Sequence, residues 1–276
     1  MFVSSGPPGA SLSNGVRMPW LGLGVFRIAD GPEVEQAVQW ALDAGYRSVD
    51  TAALYGNEAG LGRAIRASSV PREEVFVTSK VWNADQGYER TLRAFESSLK
   101  RLGMDYLDLY LVHWPVKDTT RDTWRALEKL YRDGRVRAIG VSNFLAHHLR
   151  ALMEDTEIVP MVNQVEFHPY LCQLSLLEFC ARHGIQAQAW GALMRGRIFD
   201  VPEVVALAEK YGKTAAQVVL RWTLQHGVVA IAKSSHRERI EANAKVFDFA
   251  MTPSDVARLD ALDRGLRLGP HPDSYS

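Results

Sequence analysis

Short apolar segments alternate with longer amphipathic segments along the chain from residue 21 onward. The apolar segments have the length of buried strands and lie at 21–26, 46–51, 75–80, 107–113, 136–142, 161–167, 185–190 and 228–233. The segments between them, such as EVEQAVQWALDAG and AAQVVLRWTLQHG, repeat apolar residues every three or four positions, and several end at glycine, as helices often do. Eight strands that are each followed by a helix predict an α/β fold, the (β/α)8 TIM barrel.

The main alternative to a barrel is a doubly wound sheet, which usually carries a glycine-rich fingerprint after its first strand. Here that strand reads GLGVFR (22–27) and lacks the third glycine. Before the barrel, Asn14-Gly15 lies between two short extended stretches, which predicts an N-terminal β-hairpin. No linker or low-complexity tract interrupts the pattern, so residues 1–276 are interpreted as a single domain.

Composition narrows the classes of partner and the compartment. The chain has 32 Lys and Arg residues and 32 Asp and Glu residues, so its charge gives no reason to expect a nucleic acid or a membrane surface as partner. No apolar run reaches the roughly 20 residues of a membrane span, and the stretch MFVSSGPPGASLSNG lacks the features of a signal peptide. Cys172 and Cys180 have no metal-ligand spacing and predict reduced thiols in a cytoplasmic protein. We expect a monomer.

The active site of a TIM barrel lies where the strands end and in the loops that follow. At these places the chain has polar or aromatic side chains, namely Asp50, Tyr55, Lys80, His113, Ser142, Asn143, Gln164, Trp190 and Lys233. Each alone has an ordinary structural explanation, such as capping a turn, packing a ring or reaching solvent. Together they are expected to point into the open end of the barrel formed by the strand ends, which we call the mouth. A buried Lys80 there needs Asp50 as its partner.

These residue types suit the reduction of a carbonyl group. Tyrosine has a pKa of about 10, and a nearby ammonium such as that of Lys80 is expected to lower the pKa of Tyr55. Asp50 would keep Lys80 charged, and His113 would donate a hydrogen bond to the carbonyl oxygen. The set forms a general-acid site that lacks only a hydride donor.

Two other groups of residues are expected to have no chemistry. Asn57 and Glu58 are interpreted as shaping the loop after the second barrel strand and the start of the next helix. His147 and His148 are adjacent on a predicted helix, and no further ligand joins them in the sequence, so no metal site is expected.

Motifs spread in order along the chain are more specific than any single pattern. They are GYRSVDTAALYGNE (45–58), VTSKVW, LYLVHWP, IGVSNF, VNQVEFHP and AIAKSSHRERIEANAKVFDF. They resemble the motifs of the aldo-keto reductases, most closely the short bacterial members grouped with 2,5-diketo-D-gluconate reductase. The resemblance extends from about residue 22 to residue 249 and includes HPDSYS at the tail. It implies NADPH-dependent reduction of aldehydes and ketones, including diketones and keto sugars.

The resemblance also implies roles for individual residues. The catalytic tetrad would be Asp50, Tyr55, Lys80 and His113, with Tyr55 as the proton donor. The NADPH contacts would be Gly24, Val25, Phe26, Ser142, Asn143, Gln164, Trp190, Gly191, Leu193, Lys233, Ser234, Ser235, Arg239 and Asn243. The substrate pocket would be formed by Phe26, Trp82, His113 and Trp114.

Within the cofactor set, Trp190 would stack on the nicotinamide ring, and the residues from Lys233 to Asn243 would bind the adenosine and its 2′-phosphate. Ser234 and Ser235 are expected to open the helix that follows them.

The chain departs from the family pattern near the expected pyrophosphate site. Ala232 stands where the family usually has proline, and GALMRG (191–196) replaces a loop that usually reads Ser/Gly-Pro-Leu-Gly. Two other functions stay open, a Schiff-base lyase that uses Lys80 and a cofactor-binding regulatory barrel without turnover. A charged Lys80 argues against the first, and the complete tetrad argues against the second.

Overall fold

The structure is a computed structural model that describes residues 9–275; the first eight residues of the N-terminal stretch and the last residue of the HPDSYS tail lie outside the described range. The strands are β1 Gly9–Ser11, β2 Arg17–Pro19, β3 Leu21–Gly24, β4 Ser48–Asp50, β5 Phe76–Val81, β6 Leu107–Val112, β7 Val136–Ser142, β8 Val162–Glu166, β9 Gln186–Trp190 and β10 Val229–Lys233. Strands β3 to β10 are parallel and close into a barrel in which β10 pairs with β3. The predicted TIM barrel is therefore confirmed.

Helices cover the outside of the barrel. They are α1 Pro32–Asp43, α2 Glu58–Ala67, α3 Tyr88–Leu102, α4 Thr120–Arg132, α5 Ala146–Met153, α6 Leu174–Arg182, α7 Pro202–Tyr211, α8 Ala215–Gln225, α9 Arg237–Ala244 and α10 Pro253–Asp260. Their ends follow local rules, since α3 and α7 stop at the left-handed glycines Gly103 and Gly212. Thr214 and Gln217 form a capping box at the start of α8. None of the described helices is long and apolar enough to cross a bilayer.

The N-terminal hairpin is confirmed. Strands β1 and β2 pair antiparallel, and Gly15 takes the positive φ of 84° that the turn between them requires. The Asn14 side chain donates a hydrogen bond to the carbonyl oxygen of Arg137, near the start of β7, at 2.9 Å. Because β7 starts at the end of the barrel opposite the strand C-termini, the hairpin covers the bottom of the barrel and leaves the mouth open.

The observed elements differ from the predicted ones mainly at their ends. Strand β3 ends at Gly24 and β6 ends at Val112, so Phe26 and His113 lie in the loops that follow. The expectation that Ser234 and Ser235 open the next helix is wrong, because α9 begins at Arg237. Instead, the Ser234 hydroxyl accepts a hydrogen bond from the backbone N–H of His236 at 3.1 Å and closes a turn before the helix.

Candidate active site

A buried ion pair lies at the mouth between neighbouring strands. Lys80 on β5 is fully buried, and its ammonium donates hydrogen bonds to Asp50 Oδ1 at 2.7 Å and to the carbonyl oxygen of Thr51 at 2.9 Å. Burial lowers the pKa of Lys80, while the charge of Asp50 opposes that effect. The predicted pairing of the two residues is confirmed, although Lys80 holds its proton less firmly than the sequence led us to expect.

Tyr55 lies directly above this pair in the loop after β4. It ends a short 3₁₀ helix, Ala53–Tyr55, which turns its ring back over the barrel, and Lys80 Nζ is 5.1 Å from the ring centroid. The pKa of Tyr55 is raised well above its usual value, first by burial and then by the charge of Asp50. The expectation that Lys80 lowers this pKa is therefore wrong, because burial and the charge of Asp50 raise it, and the phenol stays protonated at neutral pH.

His113 faces Tyr55 from the end of β6, with ring centroids 5.8 Å apart in an edge-on arrangement. Burial and the nearby Lys80 ammonium hold the pKa of His113 well below its usual value, so the imidazole is neutral. Its Nδ1 atom is buried and has no hydrogen-bond partner among residues 9–275. The ring of Trp82 packs against it with centroids 5.2 Å apart, which fixes the orientation of the imidazole.

A network of amide groups connects the strand ends on the other side of the mouth. Asn143, with a left-handed φ of 65°, donates to the carbonyl oxygen of His113 at 3.0 Å and accepts from Trp190 Nε1 at 2.8 Å. Ser142 donates to the carbonyl oxygen of Gln164 at 3.0 Å. These bonds hold the half-buried indole of Trp190 at the edge of the mouth.

Gln164 extends this network to the ion pair. Its amide donates to Asp50 Oδ2 at 2.8 Å and to Gln188 Oε1 at 2.9 Å, so both of its donors are used. Gln188 lies on β9, and no sequence pattern marks it, because its side chain lies inside the barrel, below the strand end.

A second cluster lies where β3 and β10 meet. Gly24 pairs with Lys233, so the loop that carries Val25 and Phe26 starts beside the loop that carries Ser234 and Ser235. A side chain at Gly24 would lie 2.6 Å from a methyl carbon of Ile231, which requires glycine there. Farther along, Arg239 is exposed and Asn243 is buried on α9.

The donors of this second cluster suit a phosphate. Lys233 and Arg239 are both exposed, and neither forms an ion pair within the described part of the chain. The serine hydroxyls and backbone N–H groups before α9 add neutral donors. The arrangement fits the phosphorylated adenosine end of a dinucleotide, while the amide network beside Trp190 suits its amide end.

The loop after β9 is strained where the sequence departs from the family pattern. Gly191 has a φ of 72°, and Met194 and Arg195 take left-handed φ values of 50° and 54°. Such conformations cost non-glycine residues about 1–3 kcal/mol each. Met194 is fully buried, so core packing holds the loop, while Leu193 is half-buried beside it.

Asn57 and Glu58 shape the loops, as predicted, although Asn57 does not cap α2 with its side chain. Its amide donates to the carbonyl oxygens of Val25 and Ile28, each at 2.9 Å, and so fixes the loop after β3. Glu58 is buried and accepts a hydrogen bond from the Ser79 hydroxyl at 2.6 Å.

The C-terminal tail brings residues to the mouth that sequence reasoning missed. Tyr275 packs on Trp114 with ring centroids 4.7 Å apart. Asp273 lies 3.0 Å from His147 Nε2 and 3.2 Å from His148 Nε2. The expectation that no further ligand joins the two histidines is therefore wrong, because the chain returns to them from more than a hundred residues away.

Comparisons with known proteins place this fold in a family. The sequence profile described as Aldo/keto reductase family matches residues 20–264. The chain is 58% identical to the glyoxal reductase of Bacillus subtilis (strain 168) over 262 residues, which cover 95% of each protein.

Two solved structures have the same fold. The aldo-keto reductase MGS-M4, from a Medee basin deep-sea metagenome library, superposes with a TM-score of 0.94 and 45% identity, over 96% of this chain and 98% of the other. The Bombyx mori aldo-keto reductase solved in complex with NADP gives a TM-score of 0.89 and 35% identity over 96% of each chain. Together with the profile match, these likenesses show that the chain belongs to the aldo/keto reductase family and reduces carbonyl compounds with NADPH as its cofactor.

Proposed function

We propose that this reductase acts on small aldehydes and α-dicarbonyl compounds, with Tyr55 as the proton donor to the carbonyl oxygen. The observation that carries this proposal is the position of the half-buried Tyr55 phenol above the buried Lys80–Asp50 pair, opposite the neutral imidazole of His113. A carbonyl oxygen that enters between Tyr55 and His113 meets an acid on one side and a neutral hydrogen-bond donor on the other.

The raised pKa of Tyr55 defines how the acid works. It keeps the phenol protonated over the whole neutral range, so the proton is present when substrate arrives. NADPH, when bound, supplies the hydride to the carbonyl carbon. As negative charge grows on the oxygen, the Lys80 ammonium stabilises the tyrosinate that forms, and Asp50 holds that ammonium in place. His113 orients the oxygen without giving up a proton.

The same proposal assigns cofactor contacts. The nicotinamide end would lie against Trp190, with Ser142, Asn143 and Gln164 around its amide. Gly191 and Leu193 would line the path to the phosphates, beside Gly24, Val25 and Phe26. Lys233, Ser234, Ser235, Arg239 and Asn243 would bind the adenosine and its 2′-phosphate. Support comes from the two exposed cations without ion-pair partners in residues 9–275 and from the hydrogen-bonded amide network.

Aromatic rings define the substrate class. Phe26 contacts the Tyr55 ring, with centroids 4.9 Å apart, and 45% of its surface is exposed at the mouth. With Trp82 and Trp114 it forms an apolar rim around a polar floor. This suits compact carbonyl compounds, and a relative named as a glyoxal reductase supports small dicarbonyls. Diketones and keto sugars share that chemistry.

Neither alternative function gains support. A Schiff base on Lys80 would require its nitrogen to leave two hydrogen bonds, to Asp50 and to Thr51, and would leave a buried carboxylate without its partner. A regulatory barrel without turnover would have no need for Asp50, Tyr55, Lys80 and His113 to lie together at the mouth.

Three broader features belong to the proposal. The enzyme would act as a monomer formed by one domain over residues 1–276, because one chain supplies every group of the site. It would work in the cytoplasm, since Cys172 and Cys180 are both free and buried. Burial raises the pKa of these thiols to about 12 and about 11, so they stay protonated and resist oxidation. Sedimentation at two protein concentrations tests the monomer.

The function is tested with wild type and Tyr55→Phe in parallel. NADPH oxidation is followed with glyoxal, a simple aldehyde, a diketone and a keto sugar, and NADPH binding is followed by quenching of protein fluorescence. We expect wild type to reduce at least glyoxal, and Tyr55→Phe to lose about 10²–10⁴-fold in kcat while it still binds NADPH. Undiminished turnover in the variant would remove Tyr55 from the acid role.

A further inference from the structure

The C-terminal segment, residues 268–275, crosses one side of the mouth. Its first contact is with Glu166. This buried carboxylate at the end of β8 accepts hydrogen bonds from the backbone N–H groups of Leu268 at 2.7 Å and Gly269 at 3.2 Å. Gly269 lies directly against Trp190, since a Cβ there would be 2.5 Å from the ring atom Cη2. The segment therefore begins in contact with the indole at the edge of the mouth.

The far end of the segment rests on the opposite rim. The ring of Tyr275 packs on the buried ring of Trp114, and the backbone N–H of Lys117 donates to the Tyr275 carbonyl oxygen at 3.3 Å. Between the two ends, Pro272 is buried and begins a 3₁₀ turn, Pro272–Ser274. A single short segment thus links Trp190 to Trp114.

Asp273 holds this segment to helix α5. His147 Nε2 makes an aligned hydrogen bond to Asp273 Oδ1 at 3.0 Å, but 58% of the His147 side chain is exposed, so this bond alone is weak. The His148 side chain is only 9% exposed, and its Nε2 lies 3.2 Å from the same oxygen. Because that N–H is not aligned with the oxygen, the contact is a close electrostatic pair rather than a good hydrogen bond.

The hydrogen bond at Nδ1 shows which nitrogen of His148 carries the ring proton. Nδ1 accepts a hydrogen bond from the backbone N–H of Leu145 at 3.1 Å, so it carries no proton. Burial, with the neighbouring His147, lowers the pKa of His148 to about 4, so the ring is neutral and its one proton sits on Nε2, which faces Asp273.

The same three residues place two ring nitrogens and a carboxylate oxygen within 4.8 Å of one another, as a metal site would. A histidine that ligates a metal through Nε2 almost always donates a proton from Nδ1. Metal binding through Nε2 would place the His148 ring proton on Nδ1. That atom now accepts a hydrogen bond from the backbone N–H of Leu145, so the two N–H groups would point at each other. The hydrogen-bonding arrangement therefore favours direct contact of Asp273 with both histidines.

We propose that His147, His148 and Asp273 form a latch that holds Tyr275 against Trp114 and so favours carbonyl substrates with an aromatic substituent. The inference rests on the proposed function, because it specifies the substrates of the same site. The three latch residues are positioning residues, and neither they nor Tyr275 and Trp114 touch the reacting atoms. A ring contact of this kind is worth about two- to twelvefold in affinity, and glyoxal has no ring with which to make it.

Kinetics of Asp273→Ala test the latch, with Ser274→Ala, an exposed change at the neighbouring position, as the matched control. Phenylglyoxal, an α-dicarbonyl with a phenyl ring, is compared with glyoxal. We expect the KM for phenylglyoxal to rise about tenfold in Asp273→Ala. The kcat for each compound and the KM for glyoxal should stay within twofold of wild type. Asp273→Asn, which keeps an acceptor oxygen, should recover part of the loss. An equal rise in KM for both compounds, or the same effect in Ser274→Ala, would overturn the proposal.

A second measurement does not depend on turnover. Hydrogen exchange at the Lys117 amide should become faster in Asp273→Ala and stay unchanged in Ser274→Ala, because that amide is bonded to Tyr275. Unchanged exchange in Asp273→Ala would overturn the latch even if the enzyme were active. A wild type that reduces neither compound would reject the proposed function, while exchange would still decide the latch. Zn²⁺ that raises the Tm of wild type but not of Asp273→Ala would replace the latch with a metal site.

Discussion

At the scale of single residues, the mouth combines groups whose protonation is set by burial. Lys80 and His113 both have lowered pKa values and Tyr55 has a raised one, each with desolvation as the largest cause. The two neutral groups and the cation beneath them are therefore fixed before substrate binds. The charges are therefore preorganised and need little rearrangement when the carbonyl oxygen arrives.

The proposal that Arg239 binds the 2′-phosphate is tested with Arg239→Ala. A charge-assisted hydrogen bond contributes about 1.5–3 kcal/mol, so the Kd for NADPH should rise about ten- to hundredfold. NADH has no 2′-phosphate, so its Kd should change less than twofold.

Both dissociation constants are measured by quenching of protein fluorescence. Lys245→Ala is the matched control, because Lys245 is another exposed cation just past α9 that forms no ion pair in the described range. Equal weakening of NADPH and NADH in Arg239→Ala would show that Arg239 does not distinguish the two cofactors.

The sequence located those site residues that follow directly from strand ends. Asp50, Lys80 and Trp190 each end or nearly end an apolar strand, so the barrel rule alone brings them to the mouth. Gln188 and Tyr275 could not be found this way, because one lies below the strand end and the other reaches Trp114 through a tertiary contact. The pKa of Tyr55 was mispredicted for a related reason, since a sequence shows a neighbouring charge but not the extent of burial.

At the scale of elements, the periodicity of apolar positions predicted every barrel strand, and the errors concern where elements end. Ser234 and Ser235 looked like a helix start because such residues commonly cap helices. They form a separate turn instead, and His236 takes the place before α9. Hydrogen bonds between residues only two positions apart decide this, and a composition rule cannot separate the two outcomes.

The contact between α2 and α3 gives a test in which two effects have opposite sign. Gly62 lies in α2 where a Cβ would be 2.0 Å from the carbonyl oxygen of Leu102 at the end of α3. Helix propensity alone predicts that Gly62→Ala raises the free energy of unfolding by about 1 kcal/mol. Overpacking against a backbone atom predicts a loss of about 1–3 kcal/mol, occasionally more.

We expect the loss to dominate, because a carbonyl oxygen at a helix end has little freedom to move. Urea unfolding of wild type and Gly62→Ala gives the difference in free energy directly. A variant that is more stable than wild type would mean that the two helices separate at no cost and that the close approach has no structural role.

At the scale of the whole molecule, the barrel divides its tasks between its two ends. The hairpin and Asn14 close the bottom, while the strand ends, the loop after β9 and the C-terminal tail build the mouth. The tail depends on residues from β8, α5 and the loop after β6, so the mouth is complete only when the whole barrel has closed. Assembly of the site is therefore coupled to folding of the entire chain.

Two histidines with lowered pKa values predict how the stability of the molecule depends on pH. His148 has a folded pKa of about 4, and the pKa of His113 is also well below its usual value, whereas unfolded histidine titrates near a pKa of about 6.5. As pH falls below about 6.5, the unfolded chain binds protons that the folded chain does not, so the free energy of unfolding decreases. For His148 the decrease should continue until pH approaches about 4.

Each such histidine contributes at most about 1.4 kcal/mol per pH unit within this window. Replacing His148 with Gln removes one titrating group, so the slope of the unfolding free energy between pH 6 and pH 5 should become shallower, whatever constant offset the lost contact with Asp273 adds. Urea unfolding at these two pH values measures the slope for wild type and His148→Gln. Equal slopes would mean that His148 is protonated in the folded protein as readily as in the unfolded chain. The assignment of a neutral His148 ring facing Asp273 would then be wrong. The latch would have to be an ordinary ion pair between a charged histidine and the Asp273 carboxylate.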